Sequence, residues 1–234
     1  MAKKNKKPPV VIPQKKGPSF AVWVTTAAVV VILALVALVV WVNGQAGGPA
    51  RLPDAAAGSS VIQEDGGIVV KDGPTEVGVY IDPMCPACRD FEENYTPLIM
   101  ENDEFGLKFH PISILDRMSQ GTEYSTRSSA SIYAVAVASP DATADYVENL
   151  YANQPSEGSP GFSNEELVAL AADLGATISE DDIDAWTKYV RNAVRTTPIP
   201  EGATGVSTPT VTINGEAVNR SGNPETDIQG WLGQ

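Results

Sequence analysis

Cys85 and Cys88 are the only two thiols in a chain of 234 residues, and they lie three positions apart in the run Pro83-Met84-Cys85-Pro86-Ala87-Cys88. They can pair with each other or with a second protein. The reactive form of a cysteine is the thiolate, and two thiols at this spacing suit thiol–disulfide exchange, one sulfur forming a mixed disulfide and the other resolving it. A redox-inert staple is the bland alternative. A bridge closing so short a loop removes little chain entropy, so it would be a weak staple. Zinc needs about four ligands, and the chain adds only a single histidine, His110, to the two thiols. Neither a metal nor a cofactor beyond the cysteine pair is expected.

Such a pair needs an element that exposes one sulfur and shelters the other. A β-like run at Val77–Asp82 leads directly into the motif, and Cys88, Phe91, Tyr95 and Leu98 then recur at helical spacing. Cys85 therefore falls at a helix start, where unpaired N–H groups and the positive end of the helix dipole favour a thiolate. Cys88 falls one turn further in, on the same side. Pro97 is expected to kink this helix. A further strand is expected at Gly67–Val70, and another at Leu107–Leu115, with Pro111 marking an edge or an irregular end.

From about 120 to 196 the pattern becomes helical. Tyr124–Ala138 is one candidate, and Ser139-Pro140 places a cap before a proline at the first helical position. Ser163 with Glu166 forms a capping box ahead of Leu167, Leu170, Ala171 and Leu174. Ser179 precedes a stripe of Ile183, Trp186, Val190 and Val194. Trp186 and Tyr189 are expected to pack this block, and His110 to be a partly buried polar residue on a sheet. Glu180-Asp181-Asp182 suits the first turn of a helix, where negative charge is favourable. Strand character returns at Pro209–Ile213, Asn214-Gly215 signals a type I′ turn, Glu216–Asn219 completes the hairpin, and Pro224–Leu232 reads as a last helix.

The N-terminal region is of another kind. Residues 1–19 carry six lysines and no acid, and form a basic tail. Residues 20–42 hold no charge and, as a helix rising ~1.5 Å per residue, would reach roughly 35 Å, enough to cross a bilayer. Trp23 and Trp41 stand where interfacial aromatics belong. A cleavable signal has a shorter apolar region, so an uncleaved anchor is expected, with cleavage near Gln45-Ala46-Gly47 as the alternative. The lysines before the span place the N-terminus in the cytoplasm and the rest outside, a compartment that permits disulfides. Residues 43–60, rich in Gly, Ala, Pro and Ser, read as a flexible linker, leaving 61–234 as the folded domain. Without the six lysines, ten basic residues face 29 acidic ones, a net charge of −19. Nucleic acid and anionic lipid surfaces are therefore not expected partners.

The strand VGVYIDP leading into CPAC, the helix with Tyr95-Thr96-Pro97-Leu98, the strand LKFHPISIL, and the late Val206-Ser207-Thr208-Pro209-Thr210 before Asn214-Gly215 together resemble the DsbA-like branch of thioredoxin-fold proteins. The resemblance spans about 62–234. It implies an α/β thioredoxin fold with an inserted helical subdomain, behind one N-terminal transmembrane helix. It also implies a protein thiol–disulfide oxidoreductase that acts on exported proteins and is re-oxidised by a membrane partner. Cys85 and Cys88 would be catalytic, Thr208 and a cis Pro209 would bind substrate, and Pro86-Ala87 would set the environment of the thiols. A disulfide reductase or isomerase, for example in cytochrome c maturation, and a non-catalytic chaperone domain are the rival readings. Two departures bear on the direction of electron flow. Strongly oxidising relatives often carry Pro-His between the cysteines, and many thioredoxin-fold enzymes have a buried acid where this chain has Val79. Asp82 is expected at the rim, where its charge would disfavour a nearby thiolate.

Overall fold

The computed structural model describes residues 24, 29–35, 51–196 and 200–232. The chain divides into two units, Met1–Gly48 and Pro49–Gln234. In the first, Val24 and residues 29–35 are helical. Most of the span expected at 20–42 lies outside the described residues, as does the whole tail at 1–19. Among the described residues, no helix is long and apolar enough to cross a membrane.

In the second unit the sheet is built from alternating apolar residues. Strand β1 is Ile68–Lys71, β2 is Thr75–Ile81, β3 is Phe105–Pro111, β4 is Thr210–Ile213 and β5 is Glu216–Val218. Their order is β1-β3-β2-β4-β5, with β2 and β3 parallel and the other neighbours antiparallel. Val79 stands opposite Phe109 on one side and Val211 on the other, and all three are buried. The period-2 rule puts Val77, Val79 and Ile81 on one face, and all three are buried. β3 is an interior strand, not an edge, and Pro111 is its last residue. Asn214 and Gly215, at φ 51° and 89°, make the tight turn between β4 and β5, as their types require.

The helix after the cysteine motif is split in two. Helix α1 runs Pro86–Asn94 and α2 runs Thr96–Glu101, with Tyr95 between them and Pro97 in the first turn of the second. Pro97 lacks an N–H, so the ladder of α1 cannot pass through it and a new helix begins. The restart shifts the phase of the inward stripe. Ile99 is fully buried, and Leu98 is only partly so.

Among the described residues between β3 and β4 lie the α-helices α3 (Tyr124–Ala138), α4 (Thr143–Ala152), α5 (Asn164–Asp173) and α6 (Glu180–Thr196). Ser139-Pro140 opens a short 3-10 turn at Pro140–Ala142, and α4 follows it. The box at α5 closes in both directions, Glu166 N–H donating to Ser163 and Ser163 N–H to Glu166. Helix α3 is buried on nearly every side, and most of its hydroxyls find partners, Ser128 at the Tyr124 carbonyl, Ser129 at the Ile112 carbonyl and Thr126 at the Asp116 carboxylate, while those of Tyr124 and Ser125 have none in regular geometry. Tyr133 stacks on Trp186 of α6 with centroids 4.7 Å apart, and Tyr189 meets both rings edge-on. The final helix, α7, is Pro224–Trp231, capped by Asn223. Of the linker expected at 43–60, the part from residue 51 is described. It carries a 3-10 turn at Asp54–Ala56, and its apolar Leu52 and Ala56 pack against the core.

Candidate active site

β2 ends at Ile81, and the next four residues carry the chain to the N-cap of α1, which is Cys85. Pro86 and Ala87, both exposed, form the first turn, and Cys88 follows with no exposed surface. Both cysteines are thiols. Cys85 Sγ donates to the carbonyl oxygen of Thr208 at 3.4 Å, and Thr208-Pro209 is a cis peptide. The fold thus brings Cys85, Cys88, Thr208 and Pro209 together, with Pro86 and Ala87 on the outer side of the pair. Beyond Pro209 a cavity of about 310 Å³ is lined by Gly205, Ser207, Thr210 and Arg220 among others.

The two sulfurs have opposite electrostatics. The Cys88 thiol donates to Cys85 and is the main cause that brings the Cys85 pKa down to about 6, against the opposing effect of burial. The N–H groups of Cys88 and Ala87 lower it further, as does the nearby Thr208 hydroxyl, although that hydroxyl lies outside regular hydrogen-bonding geometry. Burial first, and then the neighbouring Cys85 sulfur, push Cys88 well above the ordinary thiol range. A hydrogen-bonded thiolate at a helix N-terminus is the poised nucleophile or leaving group of such a pair. The shielded sulfur behind it keeps its proton.

Asp82 departs from its expected place at the rim. It has no exposed surface, and its carboxylate accepts from the N–H groups of Met84 (2.9 Å), Ile114 (2.8 Å) and Leu115 (2.9 Å). The parallel β2–β3 pairing puts the ends of both strands side by side, so an acid just past β2 caps the loop that leaves β3. Burial raises its pKa to about 6, against the lowering effect of those N–H groups and of Ser125. The Ser125 hydroxyl is nevertheless outside regular hydrogen-bonding geometry. Val79 is a plain core residue. His110, expected to be a partly buried polar residue on a sheet, lies on β3 and is buried. It stacks on Tyr80 at 4.3 Å, and burial lowers its pKa to about 4.

Three residues near the pair are absent from the sequence-derived site. Glu92, one turn past Cys88 on α1, is buried and accepts from Thr96 Oγ1 at 2.8 Å. Its i, i+4 relation to Cys88 is the signal that could have found it. Tyr151 and Gln154 come from the end of α4, and no local pattern points from them to the motif. Tyr151 is fully buried, its hydroxyl lacks a hydrogen-bond partner, and it feels the charges of Cys88, Asp82, Glu92 and Cys85. Gln154 Nε2 donates to the carbonyl oxygens of Pro83 (3.0 Å) and Cys85 (2.9 Å). Among the described residues, no group of three or more His, Cys, Asp or Glu side chains is arranged to hold a metal ion.

A parallel-antiparallel sheet carrying a Cys-x-x-Cys helix, a facing Thr-Pro and an all-helical insertion defines the DsbA-like class of thiol–disulfide oxidoreductase. The thioredoxin family model matches residues 70–232, and the chain belongs to that family. Oxidised DsbA of Mycobacterium tuberculosis is similar at 26% identity, with a TM-score of 0.58 over 69% of this chain and 84% of that one. Reduced DsbG of the same organism matches at 27% identity and a TM-score of 0.56, over 69% and 79% of the two chains. MdbA of Corynebacterium diphtheriae shares the fold at 21% identity, with a TM-score of 0.57 over 75% and 98%. The serine/threonine-protein kinase PknE of M. tuberculosis is 30% identical over 110 residues. That match takes in 44% of this chain and spans only 19% of the kinase.

Proposed function

We propose that the protein forms disulfides in exported proteins outside the cytoplasm, held to the membrane by an uncleaved helix at 20–42, with residues 43–60 as its linker. Cys85 is the attacked sulfur and Cys88 the resolving one. In the oxidised state a substrate thiolate attacks Cys85 Sγ, the Cys85–Cys88 bond breaks, and Cys88 leaves with the electron pair and takes up a proton. A second substrate thiolate then attacks the substrate sulfur of the mixed disulfide. Its bond to Cys85 breaks, Cys85 leaves as a thiolate, and the substrate has lost two electrons to the pair. Thr208 and Pro209, opposite the thiols, hold the substrate segment as an extended chain, and Pro86-Ala87 leaves the approach to Cys85 open. A membrane redox partner returns the pair to the disulfide.

The observation that carries this reading is the asymmetry of the sulfurs. Cys85, at the helix N-cap with a pKa brought down to about 6, is a good leaving group. A stabilised thiolate favours the reduced form and so makes the disulfide oxidising. No imidazole stands between the cysteines to stabilise it further, so moderate oxidising power is expected.

A Cys88→Ala variant tests the site. Mixed disulfides to exported proteins through Cys85 are expected, and their complete absence would leave a non-catalytic binding domain. Equilibration with glutathione tests the direction. A potential toward about −120 mV supports an oxidase, and one near about −270 mV would make the protein a reductase.

A further inference from the structure

The segment at the end of α4 is bonded to the active-site loop. Tyr151 lies in its last turn, and Gln154 follows just past the helix end, its N–H donating to the Tyr151 carbonyl at 3.1 Å. From there the Gln154 amide crosses to the motif and donates to Pro83 O at 3.0 Å and Cys85 O at 2.9 Å. These bonds join positions 71 and 69 residues apart, and they run from the helical insertion to the active-site loop.

The same loop is held from the sheet side by Asp82. Its carboxylate accepts from Met84 N–H, and its carbonyl accepts from Cys85 N–H at 2.9 Å. The Cys85 carbonyl also accepts from Cys88 N–H at 3.1 Å and Arg89 N–H at 3.2 Å, the first bonds of α1. Gln154 is therefore a further donor on the carbonyl that starts the helix. Fixing the carbonyl of an N-cap residue fixes its peptide plane, and with it the place of its side chain relative to the first-turn N–H groups. Those N–H groups, of Ala87 and Cys88, are the ones that face the Cys85 sulfur. The NH₂ of Gln154 also offsets the negative ends of the Pro83 and Cys85 carbonyls.

We propose that Gln154 is a positioning residue through which the helical insertion sets the reactivity of Cys85. Without its two hydrogen bonds the loop 83–85 is released on the insertion side, and the Cys85 thiolate loses alignment with its donors. The ionisable groups around Cys85 are Cys88 on its own helix, Asp82 on the loop before it and Tyr151 on α4, with Arg89 next along α1. Gln154 itself carries no charge, so its effect is on geometry and dipoles.

The test is the pH dependence of Cys85 alkylation and of ultraviolet thiolate absorbance in the reduced full chain, comparing the wild type with Gln154→Met, Gln154→Glu and Gln154→Lys. Met keeps the shape and cannot donate, Glu only accepts, and Lys restores a donor. The midpoint is expected to rise by about one unit in the Met variant, a roughly tenfold loss of thiolate below it. It should rise further in the Glu variant and return toward wild type in the Lys variant. Thermal unfolding of each variant confirms that the fold is kept, and Gln154→Leu, likewise uncharged and unable to donate, serves if the Met variant is unstable. A Met or Glu variant that titrates like wild type overturns the proposal, as does a Lys variant as impaired as Met, which would make side-chain bulk the cause. The proposal takes from the functional reading only that Cys85 is the reactive sulfur. Thiol titration is independent of the trapping experiment, so either can fail alone.

Discussion

The carbonyl oxygen of Thr208 accepts a hydrogen bond from the Cys85 thiol at 3.4 Å, across 123 positions of sequence. A thiol can make this bond and a thiolate cannot. Ionisation of Cys85 therefore frees the Thr208 carbonyl, and the sulfur then relies on the Cys88 thiol and the first-turn N–H groups.

The first prediction follows from that exchange. Iodoacetamide at neutral pH is expected to label Cys85 and leave Cys88 unmodified, with the rate falling as pH drops through about 6. The folded pKa lies below the ordinary thiol value of 9.0. The ionised Cys85 therefore stabilises the reduced protein fully above that value, and the contribution is lost as pH falls through about 6. Peptide mapping by mass spectrometry checks it, and preferential labelling of Cys88 would contradict it.

Asp82→Ala is expected to destabilise the protein by about 2–4 kcal/mol, because three backbone N–H groups lose their acceptor and each unpaired buried donor is costly. Chemical denaturation measures it. A loss under about 0.5 kcal/mol, the range of a plain surface change, would put Asp82 back at the rim.

Glu92 gives a prediction of opposite sign. Burial raises its pKa to about 7 from the ordinary 4.5. Its favourable state is the protonated one, present in full below about 4.5 and lost as pH rises through about 7. Glu92→Gln should therefore be near neutral at pH below that window and stabilising above it, by about 1–3 kcal/mol. Stability curves at two pH values read the difference, and a pH-independent effect would rule the account out.

Gly66 lies at φ 80°, and a Cβ added there would collide with the Tyr189 hydroxyl, while its carbonyl accepts from Tyr133. Gly66→Ala should cost about 1–3 kcal/mol and lower the melting temperature. An unchanged melting temperature would mean that the aromatic cluster of Tyr133, Trp186 and Tyr189 yields easily.

Local signals carried most of the fold. The limits of α3 follow from its small-residue run, the capping box of Ser163 and Glu166 starts α5, and Asn214-Gly215 makes its hairpin. All of these are decided within a few residues. Other features depend on where distant segments meet or on where a helix restarts. Asp82 looks like a rim charge until the parallel pairing of β2 with β3 brings residues 114 and 115 beside it. Leu98 belongs to the apolar stripe only if the helix continues, and Pro97 resets the phase. Gln154 reaches the backbone of the cysteine motif through tertiary packing, which no sequence window contains. Within the site, the spacing of the two thiols stands in the sequence itself, whereas Thr208-Pro209 is singled out there only by the family resemblance.

The placement of the insertion between the motif and Thr208 has a consequence for how the protein is made. Synthesis runs from the N-terminus, so both cysteines leave the ribosome 123 residues or nearly so before the carbonyl that Cys85 faces. Through that interval the chain holds two thiols without β4, without Thr208 and, at first, without Gln154. The emerging polypeptide thus carries thiols that lack this scaffold, and their distinct reactivity is acquired as the last third of the chain is translated and folds.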